Sequence, residues 1–304
     1  MPDDPRPREG LVEPAHDRFP ALLIVCVLAT LSLIIAFLGA TPARVSATEM
    51  LGATRAAGDE AFIASHRGGG ATAPENTIPA ISAALAAGFD YVEVDVALTA
   101  DRQPVLMHDA TVDRTTDGHG RLSSLTLAQV QSLDAGSWFD AEYAGTPVPT
   151  FAEFLDVLAA SGHRAIVEFK GEWDAAAVAV AVAEVTSRNL ERRIAVSSFD
   201  ARTLGMAGSA SSVLPRLFIL RHLPPDVVRA ATEAGVRGLI VDRRAVLERP
   251  EVVDELHAAG IRVVVYTLNS DTQWDEVTAL GVDGIVTDDP ATLSVWQKGV
   301  AGGQ

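Results

Sequence analysis

YVEVDVALTADRQPVLMH, residues 91–108, decides the fold. From Tyr91 to Val96 it alternates apolar and acidic residues, the period-two pattern of a strand that carries Glu93 and Asp95 on one face. A second apolar run, Val105 to His108, follows after only Thr99 to Pro104. That joint is far too short for the crossover of about a dozen residues that parallel strands need, so the two runs form an antiparallel hairpin. With Ala100-Asp101-Arg102-Gln103 as its turn, Thr99 faces Pro104 and Asp95 faces His108, which brings a histidine beside the acid pair.

Working outward, further strand patterns fall at Phe62–His66, Ala165–Phe169, Ile194–Ser198, Arg216–Leu220, Gly238–Asp242, Arg262–Thr267 and Gly284–Thr287, separated by alanine-rich helical patterns. This alternation implies a parallel sheet with helices outside. Without the hairpin run, eight parallel strands remain in about 240 residues, the size and count of an α/β (β/α)8 TIM barrel, with a doubly wound open sheet as the alternative. The barrel accounts for the placement of His66, Glu93, Asp95 and Glu168 in or just after different early strands, where barrel catalytic groups collect. The reading assigns 61–297 to the barrel and 298–304 to a C-terminal tail. Residues 111–149, with Gly118, Gly120, Gly136 and Gly145, are too long for an ordinary βα loop and read as an insertion over the barrel mouth.

Ahead of the barrel lie a polar tail (1–20), an uncharged apolar run (21–40, ALLIVCVLATLSLIIAFLGA) and a linker (41–60). The run has about the 20 residues of a membrane-spanning helix. It is longer than a secretory h-region of roughly 7–15 residues, which favours an uncleaved anchor; the small residues Val45-Ser46-Ala47 offer a signal-cleavage site as the alternative. Arg6, Arg8 and Arg18 precede the run while Arg44 and Arg55 follow, a bias toward a cytoplasmic N-terminus. The expected location is therefore the cell membrane, single-pass with the barrel outside the cytoplasm, or secretion after cleavage. The sole cysteine, Cys26, lies inside the run, so no intramolecular disulfide can form. A net charge of −16 gives no basic surface for nucleic acid.

Glu93, Asp95 and Glu168 are acids within apolar strands, and adjacent inward carboxylates repel unless a proton or cation lies between them. Three such oxygens suit Ca²⁺ or Mg²⁺, and a zinc site would ask for Cys or clustered His. Solvated strand ends are the bland reading. His66 and His108 each end a strand pattern and form a pair able to take and give protons near neutral pH, with His66 read as base and His108 as acid. Arg67 and Lys170 are the phosphate partners, or salt-bridge partners of the acids. Gly68, Gly69 and Gly70 lack any established phosphate-loop spacing. His119 is a possible substrate contact, and Trp138, Phe139 and Tyr143 line the mouth or pack the insertion. His163, His222 and His257 are read as structural, and Asp109, Asp113 and Asp117 as loop residues.

His66-Arg67-Gly68, Pro74-Glu75-Asn76-Thr77, Glu93-Val94-Asp95-Val96, Thr99-Ala100-Asp101, Pro104-Val105-Leu106-Met107-His108-Asp109, Arg114-Thr115-Thr116-Asp117-Gly118, Val167-Glu168-Phe169-Lys170 and Thr287-Asp288-Asp289-Pro290 occur in that order. In this combination the chain resembles the glycerophosphodiester phosphodiesterase family. The resemblance implies a (β/α)8 barrel, a divalent metal on Glu93, Asp95 and Glu168, acid/base roles for His66 and His108, and phosphate held by Arg67 and Lys170. It implies hydrolysis of a small-molecule glycerophosphodiester to glycerol phosphate and an alcohol, through a cyclic phosphate or by direct water attack. Where the family commonly has Trp, this chain has Tyr266, which puts the shape of the alcohol pocket in question. Lysophospholipids or wall polymers are alternative substrates, and a non-enzymatic metal-binding barrel would usually lose one of the two histidines.

Overall fold

The computed structural model describes residues 23–30 and 44–301. Residues 23–30 are helical; the rest of the 21–40 run, and so the span expected there, lies outside the described residues. Among the described residues no helix is long and apolar enough to cross a membrane.

From residue 44 onward the chain forms β1 (Phe62–Ser65), β2 (Tyr91–Leu98), β3 (Pro104–Leu106), β4 (Arg164–Phe169), β5 (Ile194–Ser198), β6 (Arg216–Leu220), β7 (Gly238–Asp242), β8 (Arg262–Tyr266) and β9 (Gly284–Thr287). All but β3 are parallel neighbours around a ring that closes where β1 pairs with β2, Ala64 opposite Tyr91 and Ser65 opposite Val92. The open sheet is thereby excluded.

Strand alternation sorts the side chains. Val92, Val94, Val96, Val167, Phe169, Val196, Leu239, Val241, Val263 and Val265 point outward into the layer covered by the helices. Phe62, Ala64, Tyr91, Ile166, Ala195, Leu217, Ile219, Ile240, Val264 and Val286 fill the barrel interior. Two residues beyond Tyr91, and two beyond Ile166, the same inward face carries Glu93 and Glu168, and Asp95 follows, paired in register with Glu168. The interior thus changes from apolar to acidic along β2 and β4. Phe62 occupies its layer because its register partner is Gly284, where a Cβ would come within 2.2 Å of the ring.

Residues 44–60, expected as a linker, belong to the barrel. The short helix Ala47–Leu51, capped by Ser46, buries Val45, Met50 and Leu51 against the lowest interior layer. Arg262 donates to Gly52 O and Thr48 Oγ1, and the Tyr91 hydroxyl donates to Met50 O. The apolar layer would otherwise be open to water at the strand starts, so this helix closes the floor.

The hairpin forms, one residue out of the expected register. Leu98, not Thr99, is opposite Pro104, and Val96 is opposite Leu106. The turn has three residues rather than four: Thr99 and Gln103 close it, and Arg102 takes a left-handed φ of 62°. A three-residue loop ending in a left-handed residue is a standard hairpin solution. In this register Val105 is opposite Ala97, and together with Met107 they pack onto Val112, Leu122, Val130, Ala135 and Val148. That contact fastens residues 111–149 to the back of the hairpin. The C-terminal helix, Pro290–Ala301, runs into the segment expected as a tail.

Candidate active site

His66 does not end β1; it begins a tight turn, His66–Gly68, that follows it. Arg67 adopts a left-handed φ of 54°, and Gly68 at φ 83° packs so close to the helix Ile78–Ala87 that a Cβ would meet Ile81 N at 2.9 Å. Strain of this kind persists where surroundings over-determine it. Here it aims the Arg67 amide at Glu93 Oε2, 2.9 Å away. Gly68 and Gly69 serve this turn.

The next motif divides its labour residue by residue. Thr77 caps the helix Ile78–Ala87, and Asn76 holds Asp95 twice, donating Nδ2 to Oδ2 at 2.9 Å and accepting the Asp95 amide at 3.0 Å. Glu75 accepts from Arg67 and from Arg114, and Arg114 also donates to Asp109, whose Oδ1 is 2.6 Å from His108 Nδ1. An alternating chain of charges therefore links Arg67 to His108. On the opposite side His66 Nδ1 lies 2.5 Å from Asp288 Oδ1, and Asn269 donates to the other Asp288 oxygen at 2.6 Å. Each histidine has its Nδ1 on a carboxylate, which fixes the ring and leaves Nε2 for other work.

His66, Arg67, Glu93, His108, Glu168 and Lys170 line one pocket of about 170 Å³. Carboxylate oxygens of Glu93, Asp95 and Glu168 lie within 4.8 Å of one another. Burial and the neighbouring Asp95 charge push Glu93 up to about 8 and Glu168 up to about 7. Asp95 stays below its ordinary value although buried, because Arg67 and Lys170 stand beside it. Asp95 Oδ1 is buried with no hydrogen-bond partner, and Lys170 Nζ is 3.7 Å from it and 3.0 Å from Glu168. Three hard oxygen donors, two of them raised for want of positive charge and one atom orphaned, fit a divalent cation. Arg67 and Lys170 do contact the acids, as the salt-bridge reading expected.

Burial would lower His66, yet its Asp288 hydrogen bond and the Glu93 charge leave it raised. Burial leaves His108 lowered despite Asp95. These directions run opposite to base and acid as read from the sequence, although a cation among the acids would cancel the pull of Glu93.

A profile described as the glycerophosphoryl diester phosphodiesterase family matches residues 66–292. The chain belongs to that family. It is 30% identical over 240 residues to the glycerophosphodiester phosphodiesterase of Caldanaerobacter subterraneus subsp. tengcongensis, covering 76% of this chain and 96% of that one. Among solved structures, an Oleispira antarctica phosphodiesterase in complex with the product sn-glycerol-3-phosphate superposes with a TM-score of 0.71 at 27% identity, covering 78% of this chain and 96% of that one. A glycerophosphodiester phosphodiesterase from Agrobacterium tumefaciens gives 0.67 at 28%, covering 78% and 100%. The protein is a phosphodiester-hydrolysing enzyme of this family.

Several glycerophosphodiester phosphodiesterase motif residues had no assigned part until the geometry gave them one. Asp109, read as a loop residue, holds His108; Glu75, Asn76, Arg114, Asn269 and Asp288 hold Arg67, Asp95, His108 and His66. For Glu75, Asn76, Asp109, Arg114 and Asp288, membership in the ordered motifs was the available signal; Asn269 lies outside them. Phe199 and Arg221, which also line the pocket, lie outside those motifs. His119 pairs with Asp113 at 3.3 Å, exposed and outside that pocket lining. Trp138, Phe139 and Tyr143 pack edge to face on one another within the insertion. His257 pairs with buried Asp283 near the strand starts, a structural role.

Proposed function

We propose that the enzyme hydrolyses glycerophosphodiesters to glycerol phosphate and an alcohol, with His66 and His108 as the proton-transferring pair. The observation that carries this is the pair itself: two rings fixed through Nδ1 by Asp288 and Asp109, lining one pocket with Glu93, Glu168, Arg67 and Lys170. Glu93, Asp95 and Glu168 are the proposed holders of Ca²⁺ or Mg²⁺. When bound, such an ion polarises the phosphoryl group and lowers the pKa of a coordinated hydroxyl. Arg67 and Lys170 then neutralise and orient the phosphate, and the charge chain through Glu75 and Arg114 keeps Arg67 and His108 in step. A groove of about 570 Å³ leads away from His108 and Lys170 past Leu98 and Leu122, giving room for a substituent on the phosphate. For the first forty residues we propose an uncleaved anchor with the barrel outside the cytoplasm, with cleaved secretion as the alternative. Its support is that cleavage after Ala47 would remove buried Val45 and the capping Ser46. The mass of the mature chain tests it.

For the chemistry, His66→Ala and His108→Ala should each lower kcat by roughly 10²-fold or more, and the double variant by far less than the product, because the two serve one step. An aryl phosphodiester, whose leaving group needs little protonation, should rescue loss of the acid and not of the base. Rescue of His108→Ala supports His66 as base; rescue of His66→Ala reverses the roles. Near-normal rates in both variants on a natural diester would overturn the pair.

A further inference from the structure

The pocket wall divides into two halves. The β1 to β4 side carries the ionisable groups, whereas the β5 to β9 side presents Phe199, Ile219, Ile240, Tyr266 and Val286. Arg221, just past β6, is the cation on this apolar side. Its guanidinium carbon lies 4.2 Å from the Phe199 ring centroid, and that ring is braced edge to face by Tyr266 at 6.2 Å. Lys170 Nζ lies 5.7 Å from the same centroid, so the two cations are at most ~10 Å apart across one ring.

Arg67 and Lys170 each have carboxylate partners; Arg221 has no ion pair or hydrogen bond among the described residues. In a chain of net charge −16 with many exposed acids, an arginine held by an aromatic face instead of an anion has its N–H fork free. That fork matches a carboxylate or a phosphate in two parallel hydrogen bonds. The pocket, about 170 Å³, has room for a short polar arm between the two cations.

Resting on the proposed diesterase reading, we infer that Arg221 selects substrates carrying a second anionic group on the arm beyond the scissile phosphate. The Phe199 platform holds the arginine at the distance of a short substituent from the Lys170 ammonium. Lys170 and Arg67 take the reacting phosphate, and Arg221 takes the carboxylate or second phosphodiester.

Matched substrates test this on the full chain with Mg²⁺ or Ca²⁺. sn-Glycero-3-phosphoserine differs from sn-glycero-3-phosphoethanolamine by one carboxylate, and bis(glycerophospho)glycerol differs from glycerophosphoglycerol by one glycerophosphate. The wild type should favour the more anionic member of each pair in kcat/KM by roughly 10- to 100-fold, mainly through KM, as fits a charged hydrogen bond. Arg221→Gln should collapse both ratios toward one, and Arg221→Lys should retain part of the preference while losing the fork. Arg221 is exposed, so these variants should fold. Equal kcat/KM within the pairs, or ratios unchanged in Arg221→Gln, overturn the inference and leave the diesterase reading standing. Absence of turnover on all four overturns both.

Discussion

Glu93→Gln should stabilise the cation-free enzyme above neutral pH while removing its response to Ca²⁺ or Mg²⁺. Glu93 titrates near 8 in the folded chain against an ordinary 4.5, because it is buried beside Asp95. Between those values the folded protein keeps a proton that the unfolded chain has released, so stability falls as pH rises through the window. At 1.36 kcal/mol per unit the full shift amounts to about 5 kcal/mol, an upper bound because Glu168 shares the same repulsion. Raised His66 adds to the same slope, as its stabilisation is also lost with rising pH. For a domain of this size each kcal/mol moves Tm by about 2–4 °C. Calorimetry in chelator from pH 5.5 to 8.5 should therefore show the wild type losing on the order of 5–15 °C. The glutamine variant has no charge to desolvate and should lose much less, melting above the wild type at pH 8.5. Saturating cation should raise the wild type and not the variant and so narrow the gap, since 100 times Kd stabilises by about 2.7 kcal/mol only where binding survives. A wild-type Tm that is flat with pH in chelator, or a variant that melts lower at pH 8.5, would refute the account of three uncompensated acids.

Asp288→Asn should lower kcat by roughly 10-fold or more with little change in Tm, because an amide cannot hold the His66 ring in the same tautomer, and the pH profile should shift with it; unchanged kinetics would make Asp288 structural only. A chain beginning at Thr48 should melt several degrees below one beginning at Arg44, having lost a cap worth about 0.5–2 kcal/mol and a buried valine worth about 1.5–3 kcal/mol. A mature mass starting at Thr48 with an undiminished Tm would sink both the anchor and this account of the floor.

Much of the fold was legible because parallel strands buried on both faces read as runs such as Arg262–Tyr266, and the Glu93/Asp95 spacing survives any register. The hairpin register was not, since it turned on whether Arg102 would accept a left-handed φ, which one arginine does not announce. The floor was missed for a related reason: Ala47–Leu51 is one turn of helix, too short for periodicity, and its apolar residues gain meaning only against Phe62 and Tyr91. In the site, groups bearing charge in apolar strands declared themselves. Their partners, Asp109 and Asp288, come from loops brought together by closure of the barrel, and Arg221 depends on a ring 22 residues earlier in the chain.

The floor also sets where force enters the barrel. Tension on the chain at Arg44 is taken by the Val45 amide on Val213 O, by Arg262 and Tyr91 gripping residues 48–52, and by Arg55 on Asp283, all near strand starts. His66, His108 and Arg221 hang from the other ends of the strands, with the apolar layer between. A pull, a fused partner or a surface joined ahead of Arg44 thus strains the barrel through its rigid base, and the loops that must admit and release substrate carry none of the load.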